Sequence, residues 1–203
     1  MVQETGNRLI LTLLKQTERI VYFCSVENVS PNLAVHEFRK SFKRIRALLH
    51  FFDEYPEEFP VESRIQIQKF GRILAPLRES FINIQIFERI TANQNFIPDR
   101  KLKTAKDILI EKNKALNESV FFADNSCGQI LSFIQTFSLQ VDKQGSSPLS
   151  AKQLISPIGI SYLKCHTVYQ TLGLQPEAGE WHVLRKRMKR LWYQLDFVKY
   201  LHP

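Results

Sequence analysis

The sequence contains few of the residues that interrupt helices. Its 203 residues include only 7 glycines and 9 prolines. Apolar residues recur mostly at three- and four-residue intervals, which is the period of an α-helix. No segment shows a convincing alternation of apolar and polar residues, as a half-buried strand would. The scarcity of helix breakers and the helical period together predict an all-α protein.

Cysteine is also scarce. Cys24, Cys127 and Cys165 are odd in number, lie far apart in the sequence and form no CxxC pair. This pattern predicts neither a disulfide framework nor a zinc ribbon, and it fits a reducing cytoplasm. No apolar run approaches the roughly 20 residues of a membrane helix. The first residues, MVQETGNR, lack the basic and apolar segments of a leader. We therefore expect a cytoplasmic protein with no membrane partner.

The apolar residues are numerous enough for a large core, since 44% of the chain is hydrophobic. Clusters of Pro, Gly, Ser, Asn and Asp divide the chain into seven predicted helices. These breaks lie near residues 28–32, 54–60, 93–100, 123–126, 142–150 and 173–179. The net charge of +8 favours an acidic partner such as nucleic acid, anionic lipid or polyphosphate.

Two of the predicted helices have recognisable starts. Ser30 followed by Pro31 is typical of an N-cap and a proline in the first turn, which predicts a helix running through Phe52. Glu180 follows the break at 173–179 and is predicted to begin a terminal helix that reaches about Tyr200. Both helices carry the same residue pattern.

This pattern is an internal repeat. VHEFRKSFKRIRALLHFF, starting at Val35, aligns without gaps with WHVLRKRMKRLWYQLDFV, starting at Trp181, at an offset of 146 residues. A period this long exceeds that of a solenoid unit, so it indicates two related halves of a single domain, about 1–95 and 100–203, with approximate twofold symmetry. Identical residues occupy His36/His182, Arg39/Arg185, Lys40/Lys186, Lys43/Lys189, Arg44/Arg190, Leu49/Leu195 and Phe51/Phe197.

Each copy of the repeat has a cationic face opposite an apolar face, because residues on a helix advance by about 100° each. A solvated helix face usually mixes charges of both signs, but only Glu37 and Asp196 are acidic in these stretches. The repeated cationic face therefore predicts an anion-binding surface. The predicted apolar faces comprise Val35, Phe38, Phe42, Ile45, Leu49 and Phe52, and Trp181, Leu184, Met188, Leu191, Leu195 and Val198.

The composition of these faces favours a long, bare polyanion, above all inorganic polyphosphate. His36 and His182 stand one turn before the first arginine, where an imidazole can donate a hydrogen bond to an anion. The aromatic residues of the repeat are placed mainly on the core side, whereas nucleic-acid readers expose aromatics for stacking on bases. Non-specific nucleic-acid binding, and a scaffold that recognises acidic proteins or a storage granule, are the alternatives.

The sequence lacks the motifs of phosphate-processing enzymes. It contains no ExExK, GxxxxGK or HExxH motif. No cluster of carboxylates accompanies the cationic stretches to hold magnesium against phosphate. We expect a binding protein with no catalytic residues, no metal site and no cofactor.

The same stretches resemble the CHAD family, the conserved histidine α-helical domain. LAPLRESFINIQIFERI, with Arg78 and Glu79, is similar to the family's leucine-rich segment, and SPIGISYLKCHTVYQ, with Tyr162, Lys164 and His166, to its penultimate helix. The resemblance spans essentially the whole chain and implies two helical bundles around a basic central cleft that binds inorganic polyphosphate. The implied ligand residues are His36, Arg39, Lys40, Lys43, Arg44, Arg46, Arg78, Lys164, His182, Arg185, Lys186, Lys189 and Arg190.

Overall fold

A computed structural model of the chain describes residues 2–26, 29–53, 61–92, 98–143 and 149–199. These residues form eight α-helices and no strand, which confirms the all-α prediction. A 3₁₀ turn, Leu49–Phe52, continues α2, and a π-helical turn, Glu118–Ala123, continues α5. The helices are α1 (Val2–Ser25), α2 (Pro31–Leu48), α3 (Val61–Ile73), α4 (Ala75–Thr91), α5 (Asp99–Asn117), α6 (Ser126–Lys143), α7 (Ala151–Gln170) and α8 (Ala178–Val198). No helix in the described part of the chain is both long and apolar enough to cross a bilayer.

The helix predicted between the breaks at 54–60 and 93–100 is divided into α3 and α4 at Leu74. Pro76 stands in the first turn of α4. A proline has no N–H to donate to the preceding turn, and its ring crowds the carbonyl four residues earlier, so a helix tends to break or kink before it. The seven predicted helical segments thus correspond to the observed helices, with one segment in two parts.

The starts of α2 and α8 differ in how they are capped. Ser30 and Pro31 occupy the predicted N-cap and first helical positions of α2, although the Ser30 side chain forms no capping hydrogen bond. The terminal helix begins at Ala178, before the predicted Glu180, because Glu177 and Glu180 form a reciprocal capping box. Its predicted end at Tyr200 lies outside the described residues.

α2 lies at the centre of the packing, where α1, α3, α4 and α8 all contact it. The ring of Phe42 stacks on Phe70 of α3 with 6.2 Å between centroids, and Phe70 contacts Phe133 of α6 at 5.5 Å. The opposite, cationic face of α2 therefore points away from the core. The predicted apolar face is buried at every position, Val35, Phe38, Phe42, Ile45, Leu49 and Phe52, with at most 3% exposure.

One buried cluster joins helices from both predicted halves. It contains side chains of α1 to α4 together with Ile134 and Phe137 of α6 and Phe197 of α8. Between the halves, α1 packs against α6 and α4 against α5. The division near residues 95–100 and the twofold relation between the halves stay predictions. What the packing establishes is that α8 and α2 lie side by side.

Candidate functional site

Two arginines on the cationic face of α2 are held against α3. Arg39 donates from Nη1 to the carbonyl oxygen of Gly71. Arg46 donates from Nη2 to Oε1 of Gln68 over 3.1 Å. Both arginines are partly buried, so contacts with α3 fix the direction in which these guanidinium groups extend.

Lys43 lies among four other cationic side chains, which come from three helices. Desolvation lowers the pKa of Lys43, and the positive charges of its four neighbours lower it further. Among the described residues, no ion pair neutralises any of the five. We call this group the Lys43 cluster; it comprises Arg39 and Lys43 of α2, Arg78 of α4, and Arg185 and Lys189 of α8.

A second cationic group continues along α2 and α8. Desolvation lowers the pKa of Arg46, and the charges of Arg190 and Arg72 add to this effect. Desolvation also lowers the pKa of Arg190, which lies near Arg187 and Arg64, while Asp53 acts in the opposite direction. We call this group the Arg190 cluster; it comprises Arg46, Arg64, Arg72, Arg187 and Arg190. Within the described residues Arg64, unlike the other four, is paired with the carboxylate of Asp53.

Three members of the Arg190 cluster were not predicted from the sequence. Arg64 and Arg72 lie on α3, outside the repeat and the family-like segments, and Arg187 stands in the second copy at a position that is not repeated. A signal was available for α3, because Arg64, Gln68 and Arg72 recur every four residues and so share one side of a helix. The hydrogen bond between Arg46 and Gln68 shows that this side of α3 faces α2.

The two repeated histidines have different surroundings. Desolvation lowers the pKa of His36, and the charges of Arg78, Lys40 and Lys43 lower it further. His36 therefore borders the Lys43 cluster and is mostly neutral at pH 7. His182, in the first turns of α8, is exposed.

Arg44 is set apart from both clusters by an ion pair. Its Nη2 lies 2.8 Å from Oδ2 of Asp196, and both side chains are partly buried. Together with Arg8 and Lys15 of α1 they line a cavity of about 170 Å³. A polyanion that reached Arg44 would have to compete with the Asp196 carboxylate.

The remaining predicted ligands are exposed lysines. Lys40 lies close enough to His36 to lower the pKa of that imidazole. Lys164 on α7 and Lys186 on α8 are exposed and form no ion pair within the described residues. As ligands, these three lysines stay predictions.

The predicted apolar face of α8 is wrong at several positions. Trp181, Met188 and Leu195 are 48–55% exposed. The residues that α8 buries are Leu184, Tyr193, Gln194 and Phe197. Tyr193 follows Leu184 by nine positions, and this spacing puts them on opposite sides of a helix. The covered side therefore changes along α8, and much of the predicted face is left open.

Exposed aromatic rings consequently adjoin the cations of α8. Trp192 takes the place that Arg46 has in the first copy of the repeat, and it is about half exposed, as is Trp181. The Nζ atom of Lys189 lies 4.7 Å from the centroid of the Trp192 ring. The expectation that the aromatics of the repeat lie mainly on the core side holds for α2 and is wrong for α8.

Equivalent residues of the two copies touch each other. The rings of Phe51 and Phe197, which differ by the offset of the repeat, are 5.5 Å apart. Beside them, Gln194 donates from Nε2 to the carbonyl oxygen of Ala47 over 3.3 Å. A contact between equivalent positions is what a local twofold relation between α2 and α8 would produce. It brings the C-terminal ends of the two repeat helices together.

Comparison with known proteins gives one match. A family model described as the CHAD domain matches residues 13–203. No curated protein and no solved structure matches the chain. The matched segment includes α2 to α8 entirely and about half of α1, so every residue of the Lys43 and Arg190 clusters lies within it.

Proposed function

We propose that this chain, which belongs to the CHAD domain family, binds inorganic polyphosphate on the surface formed by the Lys43 and Arg190 clusters. The family is known for polyphosphate binding. The observation that carries the proposal is the gathering of cations from α2, α4 and α8 around Lys43. No acidic side chain among the described residues pairs with these five.

Repulsion within the Lys43 cluster favours an anion at this place. Desolvation, and after it the positive charges of the neighbours, destabilise the charged form of Lys43 and so lower its pKa. A polyanion replaces this repulsion with attraction, and the counterions it releases add to the free energy of binding. The arginines offer forked N–H donors that match phosphate oxygens, and the lysines add point charges. Binding should therefore be tight at low salt and weak at high salt.

The adjoining clusters favour a chain of phosphates over a single one. Lys43 and Arg46 are about one turn apart on α2, and Lys189 and Arg190 are neighbours on α8. A linear polymer can therefore engage both clusters at once, whereas orthophosphate can engage only one. Affinity should increase with polymer length until both clusters are occupied. Because cationic clusters repel divalent metal ions, we propose binding without hydrolysis.

Single-stranded nucleic acid is the second candidate ligand, because Trp181 and Trp192 are exposed beside the cations. Stacking of a base on an aromatic side chain is worth about 1–3 kcal/mol, and a bare polyphosphate gains nothing from it. Competition between polyphosphate and an unstructured oligonucleotide at one ionic strength separates the two ligands. We expect polyphosphate to displace the oligonucleotide.

Charge reversal on each repeat helix tests the proposal. The variants are Lys43→Glu on α2 and Lys189→Glu on α8, and the matched control is Lys112→Glu on α5, an exposed lysine outside both clusters. Each cluster variant should weaken binding about tenfold or more at low salt, because it removes an attraction and adds a repulsion. The control should change the affinity little. Titrations with polyphosphates of graded length, at several salt concentrations, measure the effect, and the same samples should release no orthophosphate.

The salt dependence gives a second reading of the same titrations. The log–log slope of affinity against salt is on the order of −0.7 for each phosphate engaged by a flexible polyanion, so it should become shallower in both cluster variants. If Lys43→Glu and Lys189→Glu, still helical by circular dichroism, bind as well as Lys112→Glu, the proposed function is wrong. If only one of them weakens binding, the ligand does not bridge α2 and α8.

A further inference from the structure

Cys24 and Cys127 are far apart in the sequence but in contact in the fold. Their thiols lie close enough for Cys24 to act as a hydrogen-bond donor to Cys127. Cys24 lies in the last turn of α1, and Cys127 lies in the first turn of α6. Both are partly exposed and pack against the buried core. The sequence contains no CxxC pair and did not predict this contact.

The packing of α1 on α6 brings the two cysteines together. Thr17 of α1 and Ser138 of α6 are joined by a hydrogen bond of 3.3 Å between their hydroxyl oxygens. Cys24 follows Thr17 along α1, and Cys127 precedes Ser138 along α6. The hydroxyl contact and the thiol contact can form together when α1 and α6 run antiparallel. In that arrangement both cysteines lie toward the same end of the helix pair. The thiol contact is therefore part of the helix packing.

The two thiols differ in acidity. The hydrogen bond from Cys24 lowers the pKa of Cys127 to about 7, although burial acts in the opposite direction. The same hydrogen bond, together with burial, raises the pKa of Cys24. Cys127 also lies at the N-terminus of α6, where unpaired backbone N–H groups favour a thiolate. Of the two thiols, Cys127 is therefore the one favoured as the thiolate, with Cys24 as the donor of the proton between them.

We infer that Cys24 and Cys127 form a reversible disulfide when the protein meets a hydroperoxide, with Cys127 as the attacking thiolate and Cys24 as the resolving thiol. The inference concerns a site away from the cationic clusters. It does not depend on polyphosphate binding.

The reaction takes place in two steps. The Cys127 thiolate attacks one oxygen of hydrogen peroxide, an S–O bond forms, the O–O bond breaks, and the departing hydroxide takes a proton from solvent to become water. The sulfur of Cys24 then attacks Sγ of the Cys127 sulfenic acid, an S–S bond forms, the S–O bond breaks, and the hydroxide leaves as water with the Cys24 proton. Two thiols are oxidised, one peroxide is reduced and two waters form. A dithiol reductant reverses the change by thiol–disulfide exchange.

The disulfide would link the last turn of α1 to the first turn of α6 and so close a loop of about half the chain. Closing a loop of this size restricts the unfolded chain strongly. We expect the oxidised protein to unfold at a temperature about 10 °C higher than the reduced protein.

The test is a peroxide titration of the full chain, followed by proteolysis without reductant and mass spectrometry. We expect one pair of peptides joined through Cys24 and Cys127, lighter by two hydrogens than the separate peptides, and a Cys165 that can still be alkylated. Cys165→Ser is the matched control and should form the same bond. Cys24→Ser should stop at the sulfenic acid of Cys127, which a 1,3-dione reagent traps. Cys127→Ser should lose the fast reaction with peroxide.

The wild-type chain supplies a measurement that needs no substitution. At pH 7, Cys127 should react with iodoacetamide at least about tenfold faster than Cys165, since Cys165 is buried and burial raises its pKa. A peroxide-treated wild-type protein with no intramolecular disulfide, or with one that includes Cys165, would overturn the inference. So would a sulfenic acid trapped on Cys24 in the Cys127→Ser variant.

Discussion

His36 and His182 occupy equivalent positions of the repeat but lie in unlike surroundings. His36 borders the Lys43 cluster and lies near Arg78 of α4. His182 is exposed in the first turns of α8. The repeat thus places the same residue type in a partly buried position on α2 and in an exposed position on α8.

From the position of His36, we expect the proposed polyphosphate binding to depend on pH. Desolvation and the charges of Arg78, Lys40 and Lys43 lower the pKa of His36 below its ordinary value of 6.5, against the opposing charge of Glu37. The neutral imidazole therefore contributes stability above about pH 6.5, and this contribution is lost as the pH falls from there through the folded pKa. If the proposed polyphosphate binds at this surface, its negative charge should raise the pKa of His36 again, so that binding is coupled to the uptake of a proton.

We predict that polyphosphate affinity increases by up to about tenfold between pH 7.5 and pH 5.5, and that His36→Gln shows a much smaller increase. The matched control is His166→Gln, because His166 is exposed on α7 and stacks on Tyr162; it should behave as the wild type does. Binding titrations at constant ionic strength measure the effect. The same pH dependence in wild type and His36→Gln would show that another group takes up the proton.

At the scale of the helix, α8 is covered on its predicted apolar face only in part, and two of its apolar residues test this. Phe197 is 5% exposed and packs on Phe51, whereas Met188 is 55% exposed. Phe197→Ala should lower the free energy of unfolding by about 3 kcal/mol, and Met188→Ala by less than about 0.5 kcal/mol. Urea denaturation gives both values. If Met188→Ala had the larger effect, the predicted apolar face would be the packed one.

The contrast between α2 and α8 explains how far periodicity can predict packing. α2 is in contact with α1, α3, α4 and α8. These neighbours cover its apolar face along its whole length, and all six predicted core positions are buried. α8 packs on α2 and α7 and has apolar residues on more than one side. Periodicity groups the residues that share a side of a helix, but it does not say which side a neighbour covers.

The candidate site could likewise be predicted from the sequence only in part. The repeat predicted cations on α2 and α8, and Lys43, Arg185 and Lys189 do lie together, although their role as ligands stays a prediction. Arg64 and Arg72 could not be found from the repeat, because they approach α2 only through the packing of α3. The contact between Cys24 and Cys127 likewise depends on the register of α1 against α6, which no local pattern encodes.

Across the whole molecule, the core is distributed unevenly. The largest fully buried side chains belong to α1, α2, α3, α6 and the 3₁₀ turn. Within the described residues, α7 buries Gln153, Pro157, Ser161 and Cys165, which offer little apolar area. The α7–α8 hairpin is thus held by fewer apolar contacts than the helices around α2. Regions of this kind open more readily than the rest of a protein.

We predict that amides of α7 and α8 exchange with deuterium faster than those of α1 and α2 in the free protein. Long polyphosphate at 100 times its dissociation constant should slow the exchange of α8 by up to about 100-fold, because a ligand that bridges α2 and α8 must dissociate before the hairpin opens. Hydrogen exchange followed by mass spectrometry gives both rates. Amides of α5, outside the clusters, should change little, and slower exchange in α2 alone would contradict a shared surface.

The chain has two tryptophans, and both lie half exposed on α8. The tryptophan fluorescence of the molecule therefore comes from this helix and not from the core. Because these indoles already meet solvent in the folded state, their emission should shift little when the protein unfolds. It should respond more strongly to a ligand, since a polyanion that draws the Lys189 ammonium away from the Trp192 ring changes the electric field at the indole. If the proposed polyanion binds at the cationic surface, tryptophan emission should report its occupancy.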